Sequence, residues 1–390
     1  MRAAPAVPGA VKGLSLVSLF NDFASEMVYP LLPAFVVGTL GGGAVALGAL
    51  DGAADLTAAA LKVASGRLAD RPGWRRPLIL LGYATAVLVR PLISVAGTAW
   101  QVVGLRVVDR AGKGIRTPPR DALIAAVTPP AQRGRAFGFH RAADHFGAVL
   151  GSLAAWYFLI RGAEARSVIA WSVVPGVVAF LVLAVVLRGA SPPPPVARAD
   201  PAPDAMGRVF WGPVGALAAL AFFRLPETLL LLRLQDRGVA VATIPLVWAG
   251  LHVVRSGSSY PGGWLSDYLG PRAAVAAGGA LFAMVAASLA LDLSPLAAVT
   301  AFLTLGLAAG FTESAERALV ARLSPVRTGR GFGGYHGLVG IMALPAGLLF
   351  GALYQVRGGA WALAASAAGV LLATVVWLAA APRNAGGEMV

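Results

Sequence analysis

No cysteine occurs among the 390 residues of this sequence. Disulfide bonds and thiolate chemistry are therefore excluded. Charged residues are also scarce: they make up 13% of the chain, whereas hydrophobic residues make up 57% and the mean hydropathy is +0.73. A water-soluble domain carries about 25% charged residues. The composition therefore indicates a protein whose solvent is the lipid bilayer.

Motifs for nucleotide or metal chemistry are missing as well. The GKG triplet that begins at Gly112 has neither the upstream glycine spacing nor the following serine or threonine of a phosphate-binding loop. The four histidines show no H-x-x-x-H spacing that would favour a transition metal. We therefore predict no cofactor, no resident metal and no ATP-driven step.

Apolar segments separated by glycine, proline or charged residues predict twelve membrane-spanning helices. They fall near 14–38, 43–65, 77–97, 99–119, 136–160, 167–187, 212–235, 241–265, 273–291, 294–321, 331–356 and 359–381. Each approaches or exceeds the roughly 20 residues that a helix needs to cross the hydrocarbon. The first is predicted to be a span rather than a signal peptide, because Asp22 and Glu26 interrupt it and no cleavage site follows.

The basic residues predict the orientation of these spans. If the amino terminus is inside, the cytoplasmic segments hold 17 lysines and arginines and the outer loops hold four. The positive-inside rule then places both termini in the cytoplasm. The net charge of +14 is thus mostly a sign of orientation, and nucleic acid is not a predicted partner.

The chain also repeats itself at half its length. GRLADRPGWRR begins at Gly66 and GWLSDYLGPR at Gly263, while GRAFGFH begins at Gly134 and GRGFGGY at Gly329. We therefore predict an all-α membrane protein of two pseudo-symmetric six-helix bundles, residues 1–190 and 210–390. The Pro-rich segment 191–209 is predicted to join them as a mobile cytoplasmic linker.

These features resemble the major facilitator superfamily, in particular a prokaryotic branch of permeases, and the resemblance covers nearly the whole chain. Its G-x-L-x-D-x-x-G-x-R gate motif is matched after spans 2 and 8. The matching residues are Gly66, Asp70, Arg71, Gly73 and Arg75 in the first copy and Gly263, Asp267 and Arg272 in the second. The resemblance implies two halves that rock around a central site and a latch that closes the cytoplasmic side. GAVLGS, residues 147–152, is similar to an exporter motif of the superfamily, so export is favoured over import.

Charges inside the predicted spans indicate where the chemistry lies, because a lone charge in hydrocarbon costs from about 3 to more than 10 kcal/mol. Span 4 carries a helical arc of cations: Arg106, Arg110, Lys113 and Arg116. We predict that this arc lines a watery cavity that binds carboxylate or phosphate. The same span holds Pro118 and Pro119, which predict a break or kink near its cytoplasmic end.

Titratable residues predict a path for protons. Asp22 and Glu26 lie one helical turn apart on span 1 and favour a proton-coupling site. The other residues assigned to the cavity are His140, Arg141, Asp144, His145, Glu227, Arg255, Glu313 and His336. The histidines favour a proton relay or a polar wall of the binding site. The alternative is that these charged residues only form ion pairs with one another and stabilise the fold.

The sequence thus predicts a monomeric secondary transporter in the cytoplasmic membrane of a prokaryote, with protons, a small molecule and lipid as its partners. The substrate class is a small organic anion or zwitterion. One alternative is an exporter of amphipathic cations, in which Asp22 and Glu26 bind the drug and the arginines only pair. Another is a membrane-embedded enzyme that uses His140 with Asp144 or His145 as acid and base.

Overall fold

The computed structural model describes residues 8–69, 71, 73–129, 133–189, 207–323 and 328–381. Within these ranges the regular structure is helical, as predicted. The α-helices are α1 Gly9–Val28, α2 Ala44–Ala69, α3 Arg75–Leu92, α4 Ala99–Val127, α5 Arg133–Ile160, α6 Ala165–Trp171, α7 Val173–Gly189, α8 Arg208–Phe223, α9 Glu227–Asp236, α10 Ile244–Leu269, α11 Pro271–Ala290, α12 Pro295–Leu323, α13 Thr328–Arg357 and α14 Gly359–Ala380. An all-α membrane fold is thereby confirmed.

Nine helical segments of the described part are long and apolar enough to cross a membrane. Three of them continue through short interruptions: α3 runs on to Val95, α6 continues into α7, and α8 into α9. The helices α1, α4 and α10 have 20, 29 and 26 residues but carry many of the polar side chains. Twelve crossings and cytoplasmic termini stay predictions.

Two groups of helices pack among themselves. In the first, α1 packs on α5 and α7, and α4 on α2 and α3; in the second, α10 and α11 pack on α12, and α14 on α11 and α8. The predicted boundaries 1–190, 191–209 and 210–390 remain an expectation, because most of the linker lies outside the described residues.

Prolines have opposite effects in two of the helices. The apolar pattern predicted one continuous helix over 212–235. In the structure this helix is interrupted at Arg224, Leu225 and Pro226, which separate α8 from α9. In contrast, α4 continues through Pro118 and Pro119, so a break there is wrong, whereas the kink predicted as its alternative stays a prediction. Since proline has no N–H, Pro118 frees the carbonyl oxygen of Gly114 four residues earlier. Ser65 Oγ of α2 donates a hydrogen bond to that oxygen at 2.9 Å and replaces the missing donor.

Close contact between the two halves is concentrated where α2 packs against α13. A Cβ atom added to Gly48 would lie 1.9 Å from the carbonyl oxygen of Gly347, and one added to Gly52 would lie 2.6 Å from that of Ala343. Only glycine allows the two backbones to approach so closely. We call these glycine-mediated contacts the outer seam, because they extend toward the end of the bundle that the sequence predicts to be outside.

Further along α13, side chains as well as backbone make the contact with α2. A Cβ on Gly340 would still lie 2.4 Å from Ala59, whereas one on Gly337, nearly one turn further along α13, would meet nothing within 4 Å. The backbone-to-backbone contacts between α2 and α13 therefore lie in their predicted outer parts.

Candidate functional site

A central cavity of about 490 Å³ lies between the two halves. Its charged and aromatic lining residues are Glu26, Tyr29, Asp51, Asp55, Arg110, Lys113, Arg224, Glu227, Trp248, His252 and Arg255. The first six come from α1, α2, α4 and the turn after α1, and the others come from α9, α10 and the interruption before α9. The volume is that of a small-molecule site.

Arg110 and Lys113 line the cavity from α4, at a spacing of three residues. Among the described residues, neither cation has a carboxylate oxygen within the 4.0 Å of an ion pair. Two neighbouring cations without a partner repel each other and favour an anion between them. They are therefore the best-placed groups of the cavity to bind a carboxylate or phosphate.

Asp51 joins the two halves through neutral hydrogen-bond donors. Its Oδ2 accepts from Thr228 Oγ1 at 2.7 Å and from the backbone N–H of Thr228 at 3.1 Å, in the first turn of α9. Its Oδ1 accepts from the hydroxyl of Tyr29 at 3.1 Å. The interruption before α9 exposes this helix start to Asp51, where a carboxylate stabilises the unpaired N–H groups.

Glu26 makes a second connection between the halves. Its Oε2 accepts a 2.8 Å hydrogen bond from Trp248 Nε1 of α10 and lies 3.8 Å from Nε2 of His252. The rings of Tyr29 and Trp248 are 5.2 Å apart. This cluster joins α1 to α10 at the wall of the cavity.

The carboxylates and cations of the second half are mostly paired. Arg255 binds Glu313 closely and lies 3.3 Å from Glu227, while Arg317 lies 3.6 Å from Glu313. In a separate pair of the second half, Arg224 lies 3.3 Å from Glu316. The unpaired positive charge of the cavity therefore belongs to the first half.

Two cations of the predicted α4 arc do not line the cavity, which corrects the sequence assignment of Arg106 and Arg116. The guanidinium of Arg106 is 1% exposed, lies 4.9 Å from the centre of the Tyr29 ring and binds Asp109 at 3.3 Å. Tyr29 thus separates Arg106 from the cavity. Arg116 is also buried, donates to the carbonyl oxygen of Gly82 at 2.9 Å and lies 4.6 Å from a tyrosine ring of α3.

Asp109 is the centre of this buried ion cluster. It accepts from Nε of Arg90 at 2.9 Å as well as from Arg106, and all three side chains are at most 5% exposed. Arg90 also donates to the carbonyl oxygen of Asn21 at 2.8 Å and so ties α3 to α1. The cluster holds the first half together rather than binding substrate.

Replacing Asp109 with asparagine should therefore destabilise the fold. Two buried arginines would lose their carboxylate, which costs about 3–5 kcal/mol when one partner of a buried pair is removed. Thermal unfolding in detergent would show this as a clear loss of melting temperature. The matched control is Asp121→Asn on the same helix, because Asp121 is 40% exposed and its pair with Arg120 is worth at most about 1 kcal/mol. Equal melting temperatures for the two variants would contradict the assignment.

The remaining predicted cavity residues lie elsewhere in the described structure. Asp22 accepts from the side chain of Asn21 at 3.0 Å, and Asp144 lies 3.7 Å from Nε2 of His140 and 3.9 Å from the exposed Arg141. His145 is half-buried and His336 is exposed beside Phe332. None of them lines the central cavity as described, so the structure does not bring the predicted histidine relay together there.

The sequence assignment also missed cavity residues, chiefly Asp51, Asp55 and Arg224. Asp51 and Asp55 had a usable signal, because two carboxylates one turn apart on span 2 repeat the pattern of Asp22 and Glu26. Tyr29 and Trp248 had no such signal, since an aromatic residue in a span is equally common at lipid interfaces.

The two copies of the gate motif share one backbone feature. Gly73 and Gly270 occupy the same position of the motif and have φ of +82° and +85°, a conformation that favours glycine. Arg75 donates to the carbonyl oxygen of Ala69 at 3.0 Å, and Arg272 donates to that of Leu378. Around Gly66, a Cβ would meet only Pro118, at 3.7 Å.

Most other members of the motif lie wholly or partly outside the described residues. Arg71 is exposed, but Asp70 lies outside the described residues. The side chain of Asp267 and the surroundings of Gly263 lie outside them too. The latch therefore stays a prediction.

Comparison with known proteins agrees with this architecture. The Major Facilitator Superfamily profile matches residues 14–250, more than half of the chain. A transporter of this type from Methanocaldococcus jannaschii is 26% identical over 354 residues, which cover 88% of this chain and 88% of the relative. The multidrug resistance protein MdtH of Proteus mirabilis is 31% identical over 134 residues, which cover 34% of this chain and 33% of MdtH.

A solved structure shows the same fold. A bacterial homologue of the human lysosomal transporter Spinster, in an inward-facing and unoccupied conformation, has a TM-score of 0.74 at 18% identity. The match covers 95% of this chain and 96% of that one.

Proposed function

Because the chain belongs to the Major Facilitator Superfamily, we propose that it is a proton-coupled secondary transporter of a small organic anion or zwitterion. Export is favoured over import, on the GAVLGS segment of α5. We also propose that it works as a monomer in the cytoplasmic membrane of a prokaryote. The family and the fold are those of transporters.

The observation that carries the proposal is the pair Arg110 and Lys113 in the cavity between the halves. A cation kept without a carboxylate in a site of low dielectric is costly unless an anion or water reaches it. An anionic substrate would supply the missing charge and gain charge-assisted hydrogen bonds. Asp55, which lines the same cavity and has no cation within ion-pair distance among the described residues, offers a partner for the ammonium group of a zwitterion.

The contacts between the halves supply a route for alternating access. The outer seam, Glu26 with Trp248, and Asp51 with Thr228 all lie across the interface. Rocking of the halves would break these contacts and open the cavity to the other side of the membrane. In this proposal the cavity becomes accessible from each side of the membrane in turn.

Asp51 is the carboxylate best placed to couple this motion to a proton. Its described hydrogen-bond donors, Tyr29 and Thr228, are neutral, so a proton can bind it without breaking an ion pair. Protonation would also weaken its bonds to the start of α9, because a neutral carboxyl is a poorer acceptor than a carboxylate. Proton binding and release of the contact between halves are therefore linked.

Asp51→Asn is expected to uncouple transport. Accumulation of substrate driven by a pH gradient should fall to the level of liposomes without protein, whereas exchange of labelled for unlabelled substrate should persist. Both are measured in proteoliposomes, with Asp292→Asn as the control because Asp292 is 88% exposed. Normal gradient-driven accumulation by Asp51→Asn would assign coupling to another group.

An exporter of amphipathic cations is the second candidate. The relationship to MdtH over 134 residues favours it, as do the carboxylates Glu26 and Glu227 beside the aromatic rings of the cavity. In that case Arg110 and Lys113 would only offset the negative charge of nearby carboxylates and would not bind substrate.

Proton flux separates the two candidates. Proteoliposomes with a pH-sensitive dye inside are given small carboxylates, phosphate esters, amino acids or tetraphenylphosphonium. The proposal predicts that anions or zwitterions move protons and that tetraphenylphosphonium neither moves protons nor competes. Proton flux with tetraphenylphosphonium alone would establish the cation exporter instead.

A further inference from the structure

A second cavity, of about 170 Å³, lies inside the second half among α9, α10, α11 and α12. We call it the side pocket. Its deep lining is apolar and buried, with Phe302, Leu251, Leu305 and Leu230 at most 7% exposed. A void lined by apolar side chains forfeits dispersion contacts, so an apolar group that fills it is stabilised.

The side pocket adjoins the central cavity and shares part of its lining. Arg224, Leu225, Glu227 and Arg255 line both spaces. Arg224, Glu227 and Arg255 have side chains that are 25%, 44% and 29% exposed, in contrast to the buried deep lining. These charged side chains form the mouth that a molecule in the central cavity would have to pass to reach the pocket.

The mouth is held by ion pairs that leave little need for a charged ligand. Arg255 binds Glu313 closely and lies 3.3 Å from Glu227. A substrate anion would gain less there than at Arg110 and Lys113, which have no described carboxylate partner. The charged end and the apolar end of a substrate are thus assigned to opposite halves.

We propose that the side pocket is a specificity subsite for the apolar arm of an anionic substrate, an aryl or compact branched alkyl group about the size of benzene. The inference rests on the proposed function, because it takes the anion to be bound at Arg110 and Lys113. The size follows from the volume: a protein cavity of about 150 Å³ lined by leucine, isoleucine and phenylalanine accommodates benzene. The substrate class is therefore an amphipathic anion, such as an arylalkyl carboxylate or phosphate.

Binding of matched carboxylates tests the subsite. Dissociation constants of the purified protein are measured by ligand-dependent thermal stability for acetate, propionate, phenylacetate and 3-phenylpropionate. Burial of a phenyl group should lower Kd roughly 10- to 100-fold relative to the carboxylate of equal chain length without the ring. Equal constants with and without the ring would overturn the subsite.

Variants of the pocket test whether the lower Kd caused by the phenyl ring, which we call the phenyl advantage, arises in the side pocket. Ala309→Phe should fill the pocket and remove the phenyl advantage while leaving acetate binding unchanged, because Ala309 lines only the side pocket. Thr300→Leu on the exposed face of the same helix is the matched control and should retain the advantage. Leu305→Ala should enlarge the pocket and move the preference from phenyl to naphthyl, which keeps the test decisive if Ala309→Phe does not fold. A phenyl advantage that is unchanged in a folded Ala309→Phe, or a preference that is unchanged in Leu305→Ala, would overturn the subsite.

The same experiment separates failure of the subsite from failure of the proposed function. If acetate binds and Lys113→Gln abolishes its binding, but the ring has no effect, the anion site stands and the subsite is wrong. If no carboxylate or phosphate ester binds at all, the anion site is wrong and the subsite falls with it.

Discussion

Replacing both Arg110 and Lys113 with glutamine is expected to abolish transport without unfolding the protein. Each cation contributes charge-assisted hydrogen bonds to a bound anion, worth about 1.5–3 kcal/mol apiece. Loss of both should weaken substrate binding on the order of 100-fold or more. Folding should survive, because neither side chain has a described ion-pair partner to leave behind. Uptake into proteoliposomes and thermal unfolding are measured on the same preparations.

Two control variants distinguish loss of the site from loss of charge. Arg141→Gln removes a cation whose side chain is 57% exposed and outside the described cavity lining, so its transport should match that of the wild type. Arg106→Gln removes a buried partner of Asp109, so it should lower the melting temperature. Normal transport by the double variant would contradict an anion site in this cavity.

Gly48→Leu is expected to prevent closure at the outer end. A Cβ at position 48 would lie 1.9 Å from the carbonyl oxygen of Gly347, far inside van der Waals contact, and backbone cannot move aside as a side-chain tip can. The two halves would then rest in a state that is open to the outside. Transport should stop, because a carrier that cannot close one side cannot complete its cycle.

The accessibility of a single introduced cysteine measures the opening of the cavity to the outside directly. The natural chain contains no cysteine that would also react. Val339→Cys places a thiol in the lining of the central cavity. In right-side-out vesicles, a membrane-impermeant maleimide should label it much faster in the Gly48→Leu background than in the wild-type background. Gly104→Leu is the matched control, since a Cβ at Gly104 would meet nothing within 4 Å. Equal labelling in all three backgrounds would contradict the role of the outer seam.

Spacing along the sequence predicted helices and the faces they present, but not what lies opposite each face. The α4 arc was visible because Arg106, Arg110, Lys113 and Arg116 recur at helical steps. Which of these cations lines the cavity depends on residues that are distant in sequence. Arg106 lies against the ring of Tyr29, and Arg116 donates a hydrogen bond to the carbonyl oxygen of Gly82. An angle around one helix contains no information about the neighbouring helix.

Partners that are distant in sequence also explain the other differences. Asp51 is tied to Thr228 across 177 residues, and Pro118 is accommodated in α4 by Ser65 of α2. Conversely, Gly73 and Gly270 could be paired from the sequence repeat alone, because the left-handed backbone at that turn restricts the residue type. Local rules were therefore sufficient for the helices and turns, and insufficient for the central cavity.

The most direct test of an anion site between the halves is a thermal-stability screen of the purified wild-type protein and the Arg110→Gln, Lys113→Gln double variant at two pH values. A ligand of the native state raises the melting temperature according to its affinity. We expect at least one organic anion or zwitterion to raise the melting temperature of the wild-type protein, by an amount that differs between the two pH values. The same ligand should leave the melting temperature of the double variant unchanged. Equal stabilisation of both proteins by anions, or stabilisation of the wild type by lipophilic cations alone, would contradict the account.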